Sequence, residues 1–189
     1  MIAHVDLKLA YRLINHGPTA LITSTYDNKR NIMAAAWICA LDFSPPKVTV
    51  VIDKNTYTRG LIEASGAFAI NLPCAAQAEM VRIVGTSSGH DLVGTDKFTV
   101  HNIQTFKAQQ IEAPLVEGCV AWLECKIISE PHIQNTYDLF LAEVVAAYAD
   151  DRVFTNGHWH FEGHDDLRTL HHIAGGAFLT SGNQIKTSN

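Results

Sequence analysis

Hydrophobic and polar positions alternate with a period of two in several stretches of this chain, which predicts strands. In Cys119–Ile128 the alternation sets Cys119, Ala121, Leu123, Cys125 and Ile127 toward a core and Trp122, Glu124 and Lys126 away from it. Asp138–Tyr148 repeats the pattern with Phe140, Ala142, Val144, Ala146 and Tyr148 inward, so the two segments predict a hairpin across His132–Tyr137. Lys47–Asp53 presents Val48, Val50 and Ile52 on one face, and Ala67–Leu72 reads as a buried strand ended by Pro73. Thr19–Tyr26 is rich in Thr and aliphatics, and the polar turn Asp27–Asn31 predicts a hairpin to a strand over Ile32–Leu41. The break Ser44-Pro45-Pro46 follows it.

Helical spacing is found in between. Val5, Leu9 and Leu13, with Ala10 and Ile14, predict a short amphipathic helix ended by His16-Gly17-Pro18. Thr58–Ser65 and Ala75–Val84 predict two more, and Gly85–Gly94 a loop rich in Gly, Ser and Thr. Antiparallel strands with helices interleaved predict a mainly β architecture, an antiparallel β-barrel with peripheral helices rather than a parallel sheet. The expected organisation is one domain over residues 1–189 whose end, from about residue 180, is mobile.

Composition narrows the function classes. The 189 residues are 47% hydrophobic and 17% charged, an ordinary globular balance. A net charge of -5 and a pI near 6.0 give no electrostatic footprint for nucleic acid. No stretch approaches the roughly 18 apolar residues of a membrane span, and the N-terminus, with Asp6, lacks the apolar run of a signal peptide. The expected location is the cytoplasm. No two of Cys39, Cys74, Cys119 and Cys125 form a C-x-x-C pair, so reduced, buried thiols are expected. The G-x-G-x-x-G, G-x-x-x-x-G-K-[ST] and G-x-S-x-G motifs are absent, and no side chain is singled out as catalytic.

Four groups of residues could carry chemistry. Lys54-Asn55-Thr56-Tyr57-Thr58-Arg59 follows a strand and opens a helix, so cations, hydroxyls and free helix N–H groups converge as a phosphomonoester requires. The alternative is a solvated polar helix cap. Asn31-Ile32-Met33-Ala34-Ala35-Ala36-Trp37 holds three small residues on which a flat ring could lie; the alternative is a strand packed tightly against a helix. Gly85-Thr86-Ser87-Ser88-Gly89-His90-Asp91 offers hydroxyls and amides to a polar ligand, or is a surface turn. His158, His160 and His164, followed by His171-His172, lack H-E-x-x-H spacing, and a surface or interface role is expected rather than a metal.

Taken in order, these pieces resemble the flavin reductase-like, FMN-binding split-barrel family, and within it the flavoredoxin branch. The resemblance runs from Gly17-Pro18-Thr19-Ala20-Leu21-Ile22-Thr23-Ser24-Thr25 through Asn31, Ala36-Trp37 and Ser44-Pro45-Pro46-Lys47-Val48. It continues through Tyr57-Thr58-Arg59, Ile62-Glu63, Phe68-Ala69-Ile70-Asn71-Leu72-Pro73 and the Gly85–Asp91 loop. Asp96-Lys97-Phe98, Ala113-Pro114-Leu115, Leu123-Glu124-Cys125 and Leu139-Phe140-Leu141-Ala142-Glu143-Val144 complete it, with a looser match at Gly157-His158-Trp159. It implies an antiparallel split β-barrel that binds FMN as a homodimer. Its function would be an FMN-dependent oxidoreductase, flavin reductase-like and drawing on NADH or NADPH. A flavoredoxin-like electron carrier serving a redox partner protein is the alternative, and a haem protein using His158, His160 or His171 a weaker third. On the matching positions Asn31, Met33, Ala34, Ala35, Ala36 and Trp37 would contact the ring and ribityl chain. Lys54, Asn55, Thr56, Tyr57, Thr58 and Arg59 would hold the phosphate, and Ser87, Ser88 and Asp91 would close over the flavin. An outward Trp122 would be an exposed aromatic in a monomer, in keeping with a dimer. Two departures stand out. The family's Gly-x-His before the last long strand is here Asn135-Thr136-Tyr137-Asp138, and the branch's Cys-Gly before the Ser-Gly loop is Val84-Gly85.

Overall fold

The computed structural model describes residues 5–185 and Thr187. Seven strands form one sheet: β1 (Ala20–Tyr26), β2 (Lys29–Ala35), β3 (Ile38–Phe43), β4 (Pro46–Val51), β5 (Ala67–Leu72), β8 (Ala121–Ile128) and β9 (Leu139–Ala149). Their order is β2-β1-β5-β8-β9-β4-β3, and every neighbouring pair is antiparallel. The two end strands, β2 and β3, are consecutive in sequence. The expected single strand over Ile32–Leu41 is therefore divided at Ala36-Trp37, where the chain leaves one edge of the sheet and enters the other. Val51 N–H donates to Trp37 O at 3.0 Å and holds that crossing to β4.

The interior follows from the alternation. Ala20, Ile22, Ala35, Val48, Val50, Ile52, Phe68, Ile70, Cys125, Phe140 and Ala142 form one buried cluster, closed at one end by Ile62 of helix α1 (Tyr57–Ser65). The opposite faces are covered too. Leu21 and Ile32 pack under Val81 and Val84 of α2 (Ala78–Thr86), with Phe98 of α3 (Lys97–Val100). Because both faces of β1 are covered, its first five residues are all buried. The β1–β2 turn is tighter than expected. Asp27 and Asn28, at φ 50° and 59°, form a two-residue loop of the left-handed kind that matches strand twist.

Several expectations are corrected. The connection between β8 and β9 is a helix, α4 (Pro131–Tyr137), begun by Pro131 and ended by Asp138 at φ 55°. The N-terminal amphipathic helix is a 3-10 turn over Leu7–Leu13 with no buried residue; Leu7, Leu9 and Leu13 are exposed, and Tyr11 rests edge-on against Trp37. The loop expected from Gly85 starts later, since α2 runs to Thr86. Glu124, expected to face solvent, is fully buried. Its carboxylate accepts the N–H groups of Gln109, Gln110 and Ile111 at 2.9, 2.6 and 3.1 Å, which offsets the cost of burying the charge. Trp122 is covered rather than exposed: Nε1 donates to Val116 O at 2.8 Å, and Phe106 of β6 (Thr105–Phe106) lies edge-on at 5.4 Å. A bulge beside Glu124 sets Val145 out of register, so Tyr148 joins Trp122 on the outer face instead of the interior. Cys74, Cys119 and Cys125 are free and buried, but Cys39 is exposed on β3.

The remaining strands are short ribbons. β7 (Leu115–Val116) pairs with β6, β10 (Phe154–Thr155) with β11 (His158–Trp159), and β12 (Leu170–Ala174) with β13 (Ala177–Thr180). The β12–β13 hairpin lies against the start of β1: Thr19 N–H donates to Leu170 O at 2.7 Å, and Leu170 is buried with the α2 cluster. Beyond Thr180 there is no regular structure through Ile185. The rest of the tail expected to be mobile includes Lys186, Ser188 and Asn189, which lie outside the described residues. No described helix is long and apolar enough to cross a membrane.

Candidate functional site

β2 is the spine of the site. It is an edge strand, so one side of its backbone has no neighbour in the sheet, and α2 with the segment after it runs alongside. Ala34 faces α2 so closely that a Cβ on Gly85 would sit 3.2 Å from the Ala34 Cβ. The small residues of β2 thus serve helix packing at Ala34. Beside that contact Ala34, Ala35 and Ala36 also line a cleft of about 210 Å³, with Val81, Gly85 and Thr86 of α2 opposite. Its β2 side carries no side chain larger than a methyl group. His172 and Phe178 of the β12–β13 hairpin form a further wall.

Further along β2, about 13 Å from Ala35 at ~3.3 Å per residue, Asn31 is buried and its Nδ2 donates to Thr58 Oγ1 at 2.7 Å. Gly89 closes on this pair. A Cβ there would lie 2.6 Å from the Tyr57 ring and 2.8 Å from Asn31 Oδ1, so only glycine permits the approach. His90 then stands edge-on to Tyr57, ring centroids 5.1 Å apart. An open cleft of about 630 Å³ faces this junction, lined by Lys29, Lys54, Asn55, Thr56, Tyr57 and His90 among others. Thr56 provides no side-chain cap to α1, and the first amides of a helix have no intrahelical acceptor. Lys29 and Lys54 make no ion pair among the described residues. Two cations beside unoccupied helix amides are the donor set an anionic phosphate needs.

The other expected residues are placed differently. Met33 packs into the barrel interior, behind the strand. Trp37 is half exposed, with Tyr11 edge-on at 5.9 Å. Thr58 is buried and occupied by Asn31. Ser87 Oγ donates to Ile83 O at 2.9 Å, Ser88 Oγ accepts the His90 N–H at 3.2 Å, and Asp91 is exposed.

Arg59 also lines this cleft, yet its guanidinium is committed inward. Nε donates to Glu63 at 2.7 Å, NH1 to Asp138 and to Ile52 O, and NH2 to Gln134 O at 2.9 Å, with Phe140 beneath at 5.1 Å. Burial works against its charge, but Glu63 and Asp138 outweigh it and hold the pKa above the ordinary arginine value. In this arrangement Arg59 fastens α1 to β9 and α4. Lys29 is the cation that sequence reasoning left out of the site, and His90, named only as part of the Gly85–Asp91 loop, also lines it. Lys29 was read only as part of a turn, whose tight geometry is what aims it at the cleft.

The histidines are dispersed. His158 Nδ1 pairs with Asn156 O and His160 Nε2 with Thr155 Oγ1. Among the described residues no group of three His, Cys, Asp or Glu side chains has metal-binding geometry.

Comparison with known proteins agrees with this geometry. The flavin reductase like domain family matches residues 12–168. The protein YddH of Escherichia coli (strain K12) is 45% identical over 184 residues, 96% of this chain and 95% of its own. The crystal structure of an FMN-binding domain of a flavin reductases-like enzyme from Shewanella baltica OS155 superposes with a TM-score of 0.87. It is 48% identical, over 98% of this chain and 97% of that one. Flavoredoxin of Desulfovibrio vulgaris (Miyazaki F), 23% identical, shares the fold at a TM-score of 0.77 over 91% and 90% of the two chains. By its strand order, by a family match over most of its length and by these relatives, the chain belongs to the flavin reductase-like family of FMN-binding split barrels.

Proposed function

We propose that this protein binds FMN along β2 and acts as a flavin reductase-like oxidoreductase that takes electrons from NADH or NADPH. The observation that carries the reading is the pairing of two unlike sites on one strand. Ala34–Ala36 offer an apolar floor, and about 20 Å further along the strand, at ~3.3 Å per residue, Lys29, Lys54 and the start of α1 offer cations and free amides. FMN has the same polarity, a planar ring at one end and a phosphate at the other. Ala34, Ala35 and Ala36 would hold the ring, Asn31 and Gly89 the linking chain, and Lys54, Lys29, Thr56 and Tyr57 the phosphate. When bound, FMN supplies the redox chemistry; the chain's residues orient it and exclude water.

A homodimer is part of the proposal. Trp122 no longer argues for it, but Trp37, Leu41 and Phe43 do. Phe43 is 92% exposed on β3, an open sheet edge, and Leu7, Leu9 and Leu13 of the N-terminal turn are exposed as well. A second copy would cover both.

A second reading, an electron carrier for a redox partner protein, is favoured by α4. Where the family often has Gly-x-His, this chain has Tyr137 on a helix and Asp138 paired with Arg59. One experiment separates the two. Purified protein is loaded with FMN and its visible spectrum followed anaerobically on adding NADH or NADPH. Prompt bleaching supports the reductase. An FMN-loaded protein that neither nucleotide reduces supports the carrier, and a protein that takes up no FMN defeats both.

A further inference from the structure

We infer that His172, on the C-terminal hairpin, is a ring-contacting residue of the β2 cleft, hydrogen-bonding the polar edge of a planar heteroaromatic ligand. The inference rests on the reading of Ala34–Ala36 as the ring floor and adds a residue from a part of the chain that reading does not use.

Two adjacent histidines show opposite arrangements. His171 has both ring nitrogens occupied: Nδ1 pairs with His16 O at 2.8 Å and Nε2 with Thr169 Oγ1 at 3.2 Å. It ties β12 to the chain before β1. His172 lies across the pleat, half-buried, and its ring nitrogens have no partner among the described residues. His172 lines the cleft with Ala34–Ala36, Gly85 and Phe178.

The position of the ring is fixed from two sides. The His172 backbone N–H donates to Thr19 Oγ1 at 2.9 Å, so the strand cannot slide along β1. Phe178, its cross-strand partner, meets the imidazole edge-on with centroids 5.5 Å apart at 63°. A side chain held in place with its donor and acceptor unused, against an otherwise apolar floor, suits a ligand that is flat and polar only at its edge. An aliphatic ligand would leave the imidazole unmatched, and a phosphate would find no cation there but Arg82, which is paired with Glu79 at 2.5 Å.

The test uses two ligands and four proteins. FMN and riboflavin share the ring and differ in the phosphate. Apoprotein of wild type, His172→Ala, His172→Gln and Lys54→Ala is titrated with each, following flavin fluorescence and the long-wavelength flavin band. His172→Ala should weaken both flavins by the same factor, about tenfold for one hydrogen bond of roughly 1.4 kcal/mol, and should shift the band. His172→Gln keeps a hydrogen-bonding group and should recover most of the affinity, which a loss of packing would not allow; it carries the test if the alanine variant melts early. Lys54→Ala should weaken FMN alone. Unchanged affinities and band in both His172 variants, with wild type binding both flavins, overturn the inference while leaving the FMN reading intact. A wild type that binds neither flavin overturns the reading and the inference together.

Discussion

Replacing Arg59 by Ala separates two roles for the same side chain. If it clamps the flavin phosphate, the variant should weaken FMN tenfold to a hundredfold, at ~1.4 kcal/mol per decade, and spare riboflavin. The structure argues for the other role. The guanidinium makes four donor contacts, to Glu63, Asp138, Ile52 O and Gln134 O, and stands over Phe140. Glu63 is half exposed and Asp138 a quarter exposed, so water can reach both carboxylates once the arginine is gone. The full cost of a stranded buried charge, about 3–5 kcal/mol, is therefore an upper bound. Two carbonyl bonds at about 1 kcal/mol each and two screened charged ones at about 0.5 kcal/mol each give about 3 kcal/mol. For a chain of this size that lowers the melting temperature by about 6–12 °C. Melting of the apoprotein by circular dichroism, with FMN and riboflavin titrations below the transition, measures both quantities. The expected result is an early melt with both flavins weakened to a similar degree. An unchanged apoprotein melt with FMN alone weakened would falsify the structural role and restore the clamp.

Three further outcomes follow from the described contacts. Of the four cysteines only Cys39 is exposed, and burial pushes the Cys125 thiol up to about 12; an aromatic disulfide reagent should titrate one thiol in the native protein and four after denaturation, and fast release of a second in the native state would contradict the burial. Lys97 is buried with Nζ donating to Val84 O at 2.8 Å, and desolvation lowers its pKa from 10.5 to about 8. The unfolded chain then holds a proton that the folded chain has lost between pH 8 and 10.5, so this residue's contribution to stability rises with pH across that window. Denaturant curves of wild type and Lys97→Met should converge or cross as pH rises from 8 to 10, whereas parallel profiles would rule the buried charge out. Phe43→Asp places a charge on the exposed β3 edge; light scattering should report dimers for wild type and monomers for the variant, both still flavin-binding, and a wild type already monomeric would dispose of the dimer.

What could be read in the sequence was what one element decides alone. The faces of Lys47–Asp53 and Ala67–Leu72 were legible because the period of two holds in any sheet. The crossing at Ala36-Trp37 was not, because side-chain pattern does not say which neighbour a strand pairs with, and here the neighbour changes from β1 to β4 in two residues. Glu124 looked like an outward polar residue because its partners are backbone N–H groups 13 to 15 residues earlier, which carry no residue signature. Arg59 was placed in the right neighbourhood with the wrong aim: two of its four acceptors lie 75 and 79 residues away. The three groups Asn31–Trp37, Lys54–Arg59 and Gly85–Asp91 do meet, and Gly89 is the residue that lets them. His172 was named with the other histidines but assigned to a surface or interface, because nothing in the pattern of His171-His172 ties either residue to the distant β2 cleft.

The C-terminal hairpin also sets a timetable. β1–β2 and β3–β4 close from local sequence, so the spine of the cleft and its phosphate side can assemble early in synthesis. β4 must wait for β9, almost a hundred residues on, and the wall made by His172 and Phe178 comes later still. A nascent chain halted before residue 170 would hold the alanine floor, the lysines and the α2 side of the cleft, yet lack the second wall made by His172 and Phe178. With the ring placed as proposed, flavin capture becomes a late event that requires nearly the whole chain to have emerged and folded.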